Sequence, residues 1–240
     1  MNSIYNTHIN FSGIDKSFGH NQVLHDSALE IKSGECILLC GKNGSGKTTL
    51  LRIIAGLEVP DSGFVNTGLG KYTWNKCRRQ LRHSSVYLHQ QPYMFDGNVI
   101  SNLNFSLQQK LSNRQRSERI KSAIAWAGLE NIAENSAKTL SGGERQRVAI
   151  TRAWLRDPEI LLLDEPMTNM DHDSRLRTIE LLLNLKEQGV ALVVSSHDPV
   201  HFEALTDTWL QLSEGRLHGF SASDNITPIH YKKHLHELTK

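Results

Sequence analysis

Residues 41 to 48 read GKNGSGKT, so three glycines within six residues are followed directly by Lys47 and Thr48. An apolar run at residues 36–40 precedes them, and helical spacing follows at residues 48–57. Glycine-rich backbone between a strand and a helix can turn successive N–H groups toward one anion. A lysine there reaches the β- and γ-phosphates, and a threonine hydroxyl reaches Mg²⁺. The stretch predicts a nucleoside triphosphate site, the alternative being a glycine-rich turn that contains Lys-Thr by chance. Its predicted contact residues are Gly41, Lys42, Asn43, Gly44, Ser45, Gly46, Lys47, Thr48 and Thr49.

Three short runs, at residues 36–40, 160–163 and 191–194, are almost uniformly apolar, and each is followed by polar or glycine-containing residues. Such runs are typical of strands that are buried on both faces of a parallel sheet. Stretches with helical spacing alternate with them, at residues 48–57, 143–156 and 174–188. The alternation predicts an α/β core with a parallel sheet.

The rest of the chain has weaker patterns. Glycines separate short β-like pieces in residues 63–86, so hairpins are predicted there at a margin of the sheet. Residues 112–128 have helical spacing, and we interpret residues from about 92 to 156 as an inserted helical subdomain. Residues from about 221 to 240 are predicted to be a polar C-terminal tail. With no internal repeat, residues 1–240 are expected to form one domain.

The composition limits the classes of partner. Lysine and arginine number 27 and aspartate and glutamate number 25, a net charge of +2. A balance this close to zero argues against a general binder of nucleic acid or membrane surfaces. No apolar run approaches the ~18 residues of a membrane span, and residues 1–10 lack a secretory pattern, so a cytoplasmic location is expected. Cys36, Cys40 and Cys77 make no disulfide framework, and the first two are expected to pack as small apolar side chains.

Two carboxylates, Asp164 and Glu165, follow the predicted strand at residues 160–163. At the end of a buried strand, Asp164 can hold the shell of a magnesium ion. Glu165 can accept a proton from an attacking water or orient that water. Alone, an Asp-Glu pair could instead cap a helix. Together with the glycine-rich loop, the pair predicts a metal ligand and a general base at one nucleotide site.

The stretch LSGGERQR at residues 140–147 resembles the signature of the ATP-binding cassette (ABC) family. Ser141 and the two glycines after it open a predicted helix, so a hydroxyl, bare N–H groups and the positive end of the helix dipole face an anion. The resemblance extends from about residue 9 to about residue 220. It implies a P-loop NTPase core of the α/β class, with a parallel sheet, an antiparallel β margin and an inserted α-helical subdomain. It also implies ATP as the nucleotide, with Mg²⁺.

In this family the signature of one cassette meets the γ-phosphate of ATP on a second cassette. The resemblance therefore implies a head-to-tail dimer of this chain with itself or with a sister cassette. The stretch TNMD, which ends at Asp171, resembles the loop that contacts the opposite site. The residues assigned to contacts across the dimer are Ser141, Gly142, Gly143, Glu144 and Asp171. Glu144 stands where the family most commonly has glutamine.

Three further side chains match family positions in order. Gln90 resembles the glutamine that contacts Mg²⁺ and water and senses the membrane partner; Gln91 is adjacent, but the spacing to Pro92 favours Gln90. His197 resembles the switch histidine that binds the γ-phosphate. Considered without the other motifs, a single histidine would be interpreted as a structural imidazole. Phe18 stands where the family usually stacks a tyrosine on adenine, a core phenylalanine being the alternative. The resemblance thus assigns catalysis to Glu165, His197, Gln90 and Lys47, and magnesium binding to Thr48, Gln90 and Asp164.

With no predicted membrane span and one cassette, the resemblance implies the ATPase subunit of an ABC transporter, peripheral on the inner face of the cell membrane. It would drive movement of a small ion or solute, with import expected. The implied partners are an integral membrane permease and an extracytoplasmic solute-binding protein, without direct nucleic-acid contact. Residues 91–95, with Val99 and Leu103, offer anchors for the permease, burial in the helical subdomain being the alternative. Residues 89–103 are most similar to importers of the tungstate oxyanion type.

Another function of the same family stays open at this point: a soluble ABC ATPase of a non-transport assembly, such as iron–sulfur cluster building. Two charged features also have two interpretations each. A basic stretch could face lipid headgroups or be a solvated surface; it consists of Lys71, Lys76, Arg78, Arg79 and Arg82. The C-terminal histidines could chelate a metal or belong to a polar tail; they are His230, His234 and His236.

Overall fold

The computed structural model describes residues 8–68, 70–107 and 111–221, apart from the side chains of residues 220 and 221. Its strands, in chain order, are β1 (His8–Phe18), β2 (Asn21–Lys32), β3 (Cys36–Cys40), β4 (Ser62–Asn66), β5 (Lys71–Thr73), β6 (Ser85–Leu88), β7 (Ile160–Asp164), β8 (Ala191–Ser196), β9 (Thr208–Ser213) and β10 (Arg216–Ser221). Its α-helices are α1 (Lys47–Ile54), α2 (Trp74–Ser84), α3 (Val99–Asn104), α4 (Asn113–Ala127), α5 (Gly142–Trp154) and α6 (His172–Glu187).

The central sheet has six strands in the order β10-β9-β3-β8-β7-β6. The five strands from β9 to β6 are parallel, and β10 pairs with β9 in the antiparallel sense. Cys40 lies opposite Ser196, and Asp164 lies opposite Ser195, so the carboxyl ends of three neighbouring strands meet at one edge. In parallel α/β sheets ligands bind at this edge. The predicted parallel sheet is confirmed.

Both faces of this sheet are covered, which explains the uniform apolar runs. In β3, Cys36, Leu38 and Cys40 pack with helices α3 to α6. Ile37 and Leu39 point to the opposite face, where they pack with α1, α2 and residues of β1, β2 and β4. Strands β7 and β8 alternate in the same way. A strand between two apolar layers needs apolar residues at every position.

A second sheet is antiparallel and has the order β2-β1-β4-β5. Strands β1 and β2 form a hairpin in which Phe18 pairs with Asn21. Buried residues of this hairpin, among them Phe11, Ile14 and Leu24, pack on α1 and the central sheet. The sheet is the antiparallel margin of the fold, although the β1–β2 hairpin contributes most of it and no sequence pattern predicted that hairpin.

The hairpin prediction for residues 63–86 is wrong in its second half. Strands β4 and β5 pair as predicted, but the chain then forms helix α2. Trp74, Cys77 and Leu81 are spaced by three and four residues, so they form one buried helical face. The indole N–H of Trp74 donates to the carbonyl oxygen of Ile53 at 3.0 Å, which fixes the start of α2 against α1. The glycines before α2 suggested turns, so this helical spacing was not recognised in the sequence.

Between β6 and β7 the regular structure is helical, with α3, α4 and α5 separated by turns. Helix α4 begins at Asn113, where Ser112 and Gln115 form a reciprocal capping box, one residue from the predicted start. Val99 and Leu103 of α3 are fully buried, so their proposed role as permease anchors is wrong. The C-terminal tail and its three histidines lie outside the described residues.

Candidate active site

The glycine-rich loop connects β3 to α1 at the carboxyl edge of the central sheet. Lys47 begins α1, and its side chain folds back over the loop. The ammonium nitrogen donates to the carbonyl oxygens of Gly41, at 2.8 Å, and Lys42, at 3.1 Å. Only 6% of the Lys47 side chain is exposed. A buried positive charge is therefore fixed next to backbone that can accept an anion.

The loop has no room for side chains at two of its glycines. A Cβ atom at Gly41 would lie 2.6 Å from the carbonyl oxygen of Leu212, and one at Gly46 would lie 2.7 Å from Cγ1 of Val23. Between these glycines, the buried hydroxyl oxygen of Ser45 has no hydrogen-bond partner among the described residues. Buried hydroxyls without a partner are rare in folded proteins, and an anion in the loop would supply one.

Asp164, the last residue of β7, accepts three side-chain hydrogen bonds. The hydroxyls of Thr48 and Tyr87 donate to Oδ2, at 2.7 and 2.9 Å. The hydroxyl of Ser195 donates to Oδ1, at 2.6 Å. The first turn of α1 is thereby joined to the end of β7. Because hard divalent cations prefer carboxylate and hydroxyl oxygens, Thr48 and Asp164 are a donor pair that fits Mg²⁺.

Tyr87 was not recognised from the sequence. It lies on β6, where its half-buried ring reaches across to the end of β7. Burial raises the pKa of the phenol above its ordinary value, and the adjacent Asp164 carboxylate raises the pKa further. The phenol therefore stays protonated at neutral pH and acts as a permanent hydrogen-bond donor to Asp164.

Glu165 directly follows β7 and has a φ of +48°, in the left-handed region that few non-glycine residues adopt. Its Oε1 lies 3.8 Å from Nζ of Lys47, and its Oε2 lies 2.5 Å from Nδ1 of His197. The Glu165 side chain is 12% exposed and that of His197 is 52% exposed. The structure therefore brings together Lys47, Glu165 and His197, three of the four side chains assigned to catalysis.

The fourth, Gln90, lies in the exposed loop after β6, beside Gln91. Neither side chain makes a hydrogen bond to any residue in the described ranges, so the assignment of Gln90 stays a prediction. Phe18 ends β1 with half of its surface exposed, and the ammonium of Lys16 lies 4.8 Å from its ring centroid. Phe18 is thus not a core residue, and its ring remains accessible for stacking.

The signature stretch begins α5 as an exposed helix N-terminus. Ser141 is the N-cap: its hydroxyl accepts from the N–H of Glu144, and its own N–H donates to the Glu144 carboxylate at 2.8 Å. A Cβ on Gly142 would meet open space, whereas one on Gly143 would collide with the side chain of Ser174 on α6. Glu144 therefore has a local capping role, and Gly143 permits close packing of α5 on α6.

Asp171 is the N-cap of α6. The N–H and the hydroxyl of Ser174 donate to its two carboxylate oxygens, at 2.8 and 2.7 Å. These hydrogen bonds lower the pKa of Asp171 below its ordinary value, the N–H bond most strongly. The carboxylate is exposed, so contact with a second molecule is sterically open.

A groove is lined by α2, β6, the loop after β6 and α5. Arg152 of α5 donates to the carbonyl oxygen of Tyr93 at 2.7 Å, and its guanidinium lies 4.8 Å from the ring centroid of Phe95. The side chain of Asn102 accepts from the N–H of Phe95 at 2.8 Å and donates to its carbonyl oxygen at 3.0 Å. Tyr93 and Phe105 stay largely exposed in this groove.

The basic stretch recognised in the sequence occupies β5 and α2. Lys76, Arg79 and Arg82 are exposed, and no ion pair to them is present among the described residues. Arg78 instead donates to the carbonyl oxygen of Gly56 at 3.2 Å and lies over the Trp74 ring. Within the described ranges no three His, Cys, Asp or Glu side chains are grouped to hold a metal ion.

Three residues of this region were not found from the sequence: Tyr87, Ser195 and Asn102. Tyr87 and Ser195 are polar residues next to apolar residues of their strands, which was the one available signal. Asn102 is fully buried on α3, a position where an unpaired amide would be costly. Their partners lie on other strands or loops, so only the assembled fold shows what they bind.

The Lys47 ammonium over the glycine-rich loop, with Asp164 beside Thr48, fits a nucleoside triphosphatase. The model of the family "ABC transporter" matches residues 24–168, more than half of the sequence, and the chain belongs to this family.

Individual proteins agree with this membership. The aliphatic sulfonates import ATP-binding protein SsuB 1 of Nocardia farcinica is 37% identical over 210 residues, which cover 87% of this chain and 79% of that protein. The glutamine transport ATP-binding protein GlnQ of Escherichia coli is 33% identical, with 87% and 89% covered. The solved structure of cbiO1 from Clostridium perfringens, part of the ABC transporter complex cbiONQ, shares the fold with a TM-score of 0.83. Its identity is 24%, over 96% of this chain and 94% of that one.

As a member of this family, the chain is an ATP-binding subunit that hydrolyses ATP to power transport. The expectation of a transport ATPase is confirmed. Within the ranges that the structure describes, none of the helices combines the length and apolar character needed to cross a membrane.

Proposed function

We propose that the ATP hydrolysed by this chain is bound at the carboxyl edge of the central sheet, in the loop at residues 41–48, and cleaved with Glu165 as general base. The observation that carries this proposal is the convergence of three side chains. The Glu165 carboxylate lies between the Lys47 ammonium, at 3.8 Å, and the His197 imidazole, at 2.5 Å. A carboxylate that is largely shielded from water and held by two partners is well placed to orient a water and take its proton.

The ion proposed to accompany ATP is Mg²⁺, held by Thr48 and Asp164, with Gln90 as a further ligand. The Thr48 hydroxyl and the Asp164 carboxylate already lie within hydrogen-bond distance, at 2.7 Å. When bound, such an ion neutralises charge on the phosphate oxygens. Lys47 supplies a second positive charge from the loop. Phe18, with its exposed ring at the end of β1, is the proposed partner of the adenine base.

In the proposed reaction, water attacks the γ-phosphorus, the bond from that phosphorus to the β,γ-bridging oxygen breaks, and ADP and phosphate leave. Glu165 takes the proton from the attacking water. His197 fixes the Glu165 carboxylate through its Nδ1, and its half-exposed ring is available to the γ-phosphate. Lys47 stabilises negative charge on the departing phosphate groups.

The complete site is proposed to need a second cassette in head-to-tail arrangement, either another copy of this chain or a sister chain. The exposed N-terminus of α5 presents the Ser141 hydroxyl, the backbone N–H groups of Gly142 and Gly143, and the positive end of the helix dipole. These groups suit the γ-phosphate of ATP bound to the partner. Glu144 shapes this helix N-terminus, and Asp171 contributes the neighbouring exposed N-cap of α6.

A mixing experiment tests the shared site for a dimer of this chain. Lys47→Ala and Ser141→Arg are each expected to abolish ATP hydrolysis in a pure dimer. In a mixed dimer of the two variants, one site carries both changes, whereas the other has an intact loop and an intact signature. Differently tagged chains, coexpressed and purified through both tags, should therefore recover roughly half of the wild-type activity, since one of two sites is intact.

The control is a mixed dimer of wild type with a chain that carries both changes, in which each site keeps one defect. It should stay at background activity. Mixed Lys47→Ala and Ser141→Arg dimers without recovered activity would contradict the shared site, as would full activity in pure Ser141→Arg protein. Failure to isolate a doubly tagged dimer in the presence of ATP would favour a sister cassette as partner.

The permease is proposed to dock in the groove formed by α2, the loop after β6 and α5. Aromatic side chains are exposed there, with Tyr93 at 73% and Phe105 at 64% exposure. Cationic groups from both walls line it, namely Lys76, Arg79, Arg152 and Arg156. Such a surface suits a permease segment with apolar and acidic side chains. Gln90, in the loop of this groove, would then connect the permease to the nucleotide.

We further propose that the chain lies peripherally on the inner face of the cell membrane and drives import, with an extracytoplasmic binding protein delivering the solute. The similarity to SsuB 1, an import ATP-binding protein, supports this direction of transport. Residues 1–240 would form one cassette domain, with residues from about 92 to 156 as its helical subdomain.

Isolation of the tagged chain from membranes in mild detergent tests this assembly. A polytopic membrane protein is expected in stoichiometric amount. Tyr93→Ala combined with Phe105→Ala should reduce its recovery strongly, whereas Leu176→Ala, which changes an apolar residue of α6 that is 51% exposed, should not. Equal recovery with both variants would contradict docking at this groove. Recovery of soluble partners alone would contradict the proposed membrane assembly.

A further inference from the structure

The hydroxyl of Ser195 lies between the two carboxylate residues of the proposed site. Ser195 is on β8, fully buried and directly opposite Asp164 of β7 in the sheet register. Its O–H donates to Oδ1 of Asp164 at 2.6 Å. Its Oγ also accepts from the backbone N–H of Glu165 at 3.0 Å. One buried side chain is thus bonded both to the metal-site carboxylate and to the backbone of the general base.

These two bonds hold groups that would otherwise have freedom to move. The other hydrogen bonds to the Asp164 carboxylate, from Thr48 and Tyr87, both go to Oδ2. Ser195 therefore holds Oδ1 and sets the rotation of the carboxylate plane. Glu165 has a φ of +48°, a conformation that persists only when its surroundings hold it. Its N–H is shared between Oγ of Ser195 and the Ser195 carbonyl oxygen, at 3.2 Å.

The position requires both a donor and an acceptor on one short side chain. A hydroxyl has both, whereas the apolar side chains of residues 191–194 on the same strand have neither, and the other hydroxyl of β8, on Ser196, donates to the carbonyl oxygen of Asp198. The backbone around Ser195 is itself part of the central sheet, with partners on β3 and β7, so the hydroxyl is held on a rigid strand. Rigid support of this kind fixes the side chains that it contacts.

We propose that Ser195 is a positioning residue that fixes the Asp164 carboxylate and the Glu165 backbone relative to each other. The proposed magnesium ligand and the proposed general base are thereby held at a fixed relative position. The inference rests on the proposed roles of Asp164 and Glu165. Loss of the hydroxyl should weaken the contribution of Mg²⁺ to nucleotide binding and should slow hydrolysis, without changing metal-free nucleotide binding.

The test compares Ser195→Thr with Ser195→Val, which have nearly the same shape and differ in the hydroxyl. Both are β-branched residues and suit a central strand. The dissociation constant of the non-hydrolysable analogue adenosine 5′-(β,γ-imido)triphosphate is measured by calorimetry, with Mg²⁺ and with EDTA. The ratio of the dissociation constant in EDTA to that with Mg²⁺ measures how much the metal strengthens binding of the analogue. Turnover of MgATP is measured in parallel.

In Ser195→Val we expect the effect of Mg²⁺ on analogue binding to fall about tenfold and kcat to fall about tenfold, the lower end of effects at residues that support metal ligands. The constant in EDTA should stay within about twofold of wild type. Ser195→Thr should retain most of both properties. Ser195→Ala, which removes the hydroxyl without adding volume, repeats the test if the valine variant unfolds. Ser27→Ala is the matched control, because Ser27 is equally buried and donates only to the carbonyl oxygen of Gly215, away from the site.

Two outcomes would overturn the inference. The first is that Ser195→Val and Ser195→Ala keep the wild-type effect of Mg²⁺ on analogue binding. The second is that Ser195→Thr and Ser195→Val lose this effect and kcat equally. Asp164→Asn separates this failure from failure of the proposed function. A reduced metal effect in Asp164→Asn, with none in Ser195→Val, rejects the role of Ser195 alone. An unchanged metal effect in Asp164→Asn rejects the proposed magnesium site and the inference with it.

Discussion

The imidazole of His197 lies against the carboxylate of Glu165, with 2.5 Å between Nδ1 and Oε2, and the His197 backbone N–H also donates to Oε2 at 3.4 Å. These residues follow neighbouring parallel strands, β8 and β7, so the sheet register sets the distance between them. On the other side of the carboxylate, Oε1 faces the ammonium of Lys47. A general base held from two sides has one orientation in which to receive a proton.

The first prediction concerns His197. His197→Ala should lower kcat by about 10²-fold, in the range found for groups that assist proton transfer, because Glu165 loses its orienting partner. ATP binding should change by less than about threefold. Turnover and equilibrium binding of ATP measure these two effects. His218→Ala, on β10, is the control and should behave as wild type. An unchanged kcat in His197→Ala would exclude His197 from catalysis.

The second prediction concerns the capping box of α5. Glu144→Ala removes the acceptor for the Ser141 N–H and should lower the free energy of unfolding by about 1 kcal/mol. Glu144→Gln keeps an acceptor oxygen and should stay close to wild type. Urea unfolding without nucleotide gives both values. Equal stability of Glu144→Ala and Glu144→Gln would contradict a contribution of the hydrogen bond from the Ser141 N–H to the Glu144 carboxylate, at 2.8 Å, to the free energy of unfolding.

The third prediction concerns the pH dependence at Asp171. Its pKa is lowered in the folded protein, so its ionised form contributes stability above the ordinary aspartate pKa of about 3.9. That contribution disappears as the pH falls through the lower folded-state pKa. Asp171→Ala should therefore be less stable than wild type at pH 7, and the difference should shrink below about pH 4.

Thermal unfolding of wild type and Asp171→Ala, compared at each pH, isolates this effect, since the other carboxylates titrate in both proteins. Asp173→Ala is the control, because Asp173 lies in the same first turn of α6 and is not its N-cap. A stability difference that stays constant from pH 7 to pH 3 would contradict the capping role of the Asp171 carboxylate.

The fourth prediction concerns the loop next to the groove. Asn102→Ala removes a fully buried amide and leaves the part-buried N–H and carbonyl group of Phe95 without their partner, so it should lower the free energy of unfolding by about 2 kcal/mol. Asn104→Ala, on the same helix, removes an exposed side chain that accepts a hydrogen bond from Arg116 and should cost less than about 0.5 kcal/mol. Urea unfolding measures both. Equal stability of the two variants would contradict the anchoring role of Asn102.

Sequence patterns predicted the parts of the molecule whose chemistry is local. The loop at residues 41–48, the strand that ends at Asp164 and the helix opened by Ser141 each carry their signal within a few residues, so β3, β7 and α5 were found with small errors at their ends. Helix α2 was missed because the glycines before it suggested hairpins, although Trp74 and Leu81 have helical spacing.

The contacts made by Tyr87 and Ser195 could not be predicted in this way. Each is a polar residue beside apolar residues of its strand, and its partner lies on a different strand far along the sequence. Only the strand order β8-β7-β6 brings these hydroxyls to Asp164. The same holds for Val99 and Leu103, which the sequence offered as permease anchors and which the packing of α3 places in the core.

The fifth prediction tests the central claim, that Glu165 is the general base. Glu165→Gln keeps the size and hydrogen-bonding capacity of the side chain but removes its basicity. ATP turnover should fall by at least about 10²-fold, while the dissociation constant for ATP stays within about threefold of wild type. Glu118→Gln, an exposed glutamate on α4, is the control and should hydrolyse ATP normally. Wild-type turnover in Glu165→Gln would contradict the assignment of the base and with it the proposed mechanism.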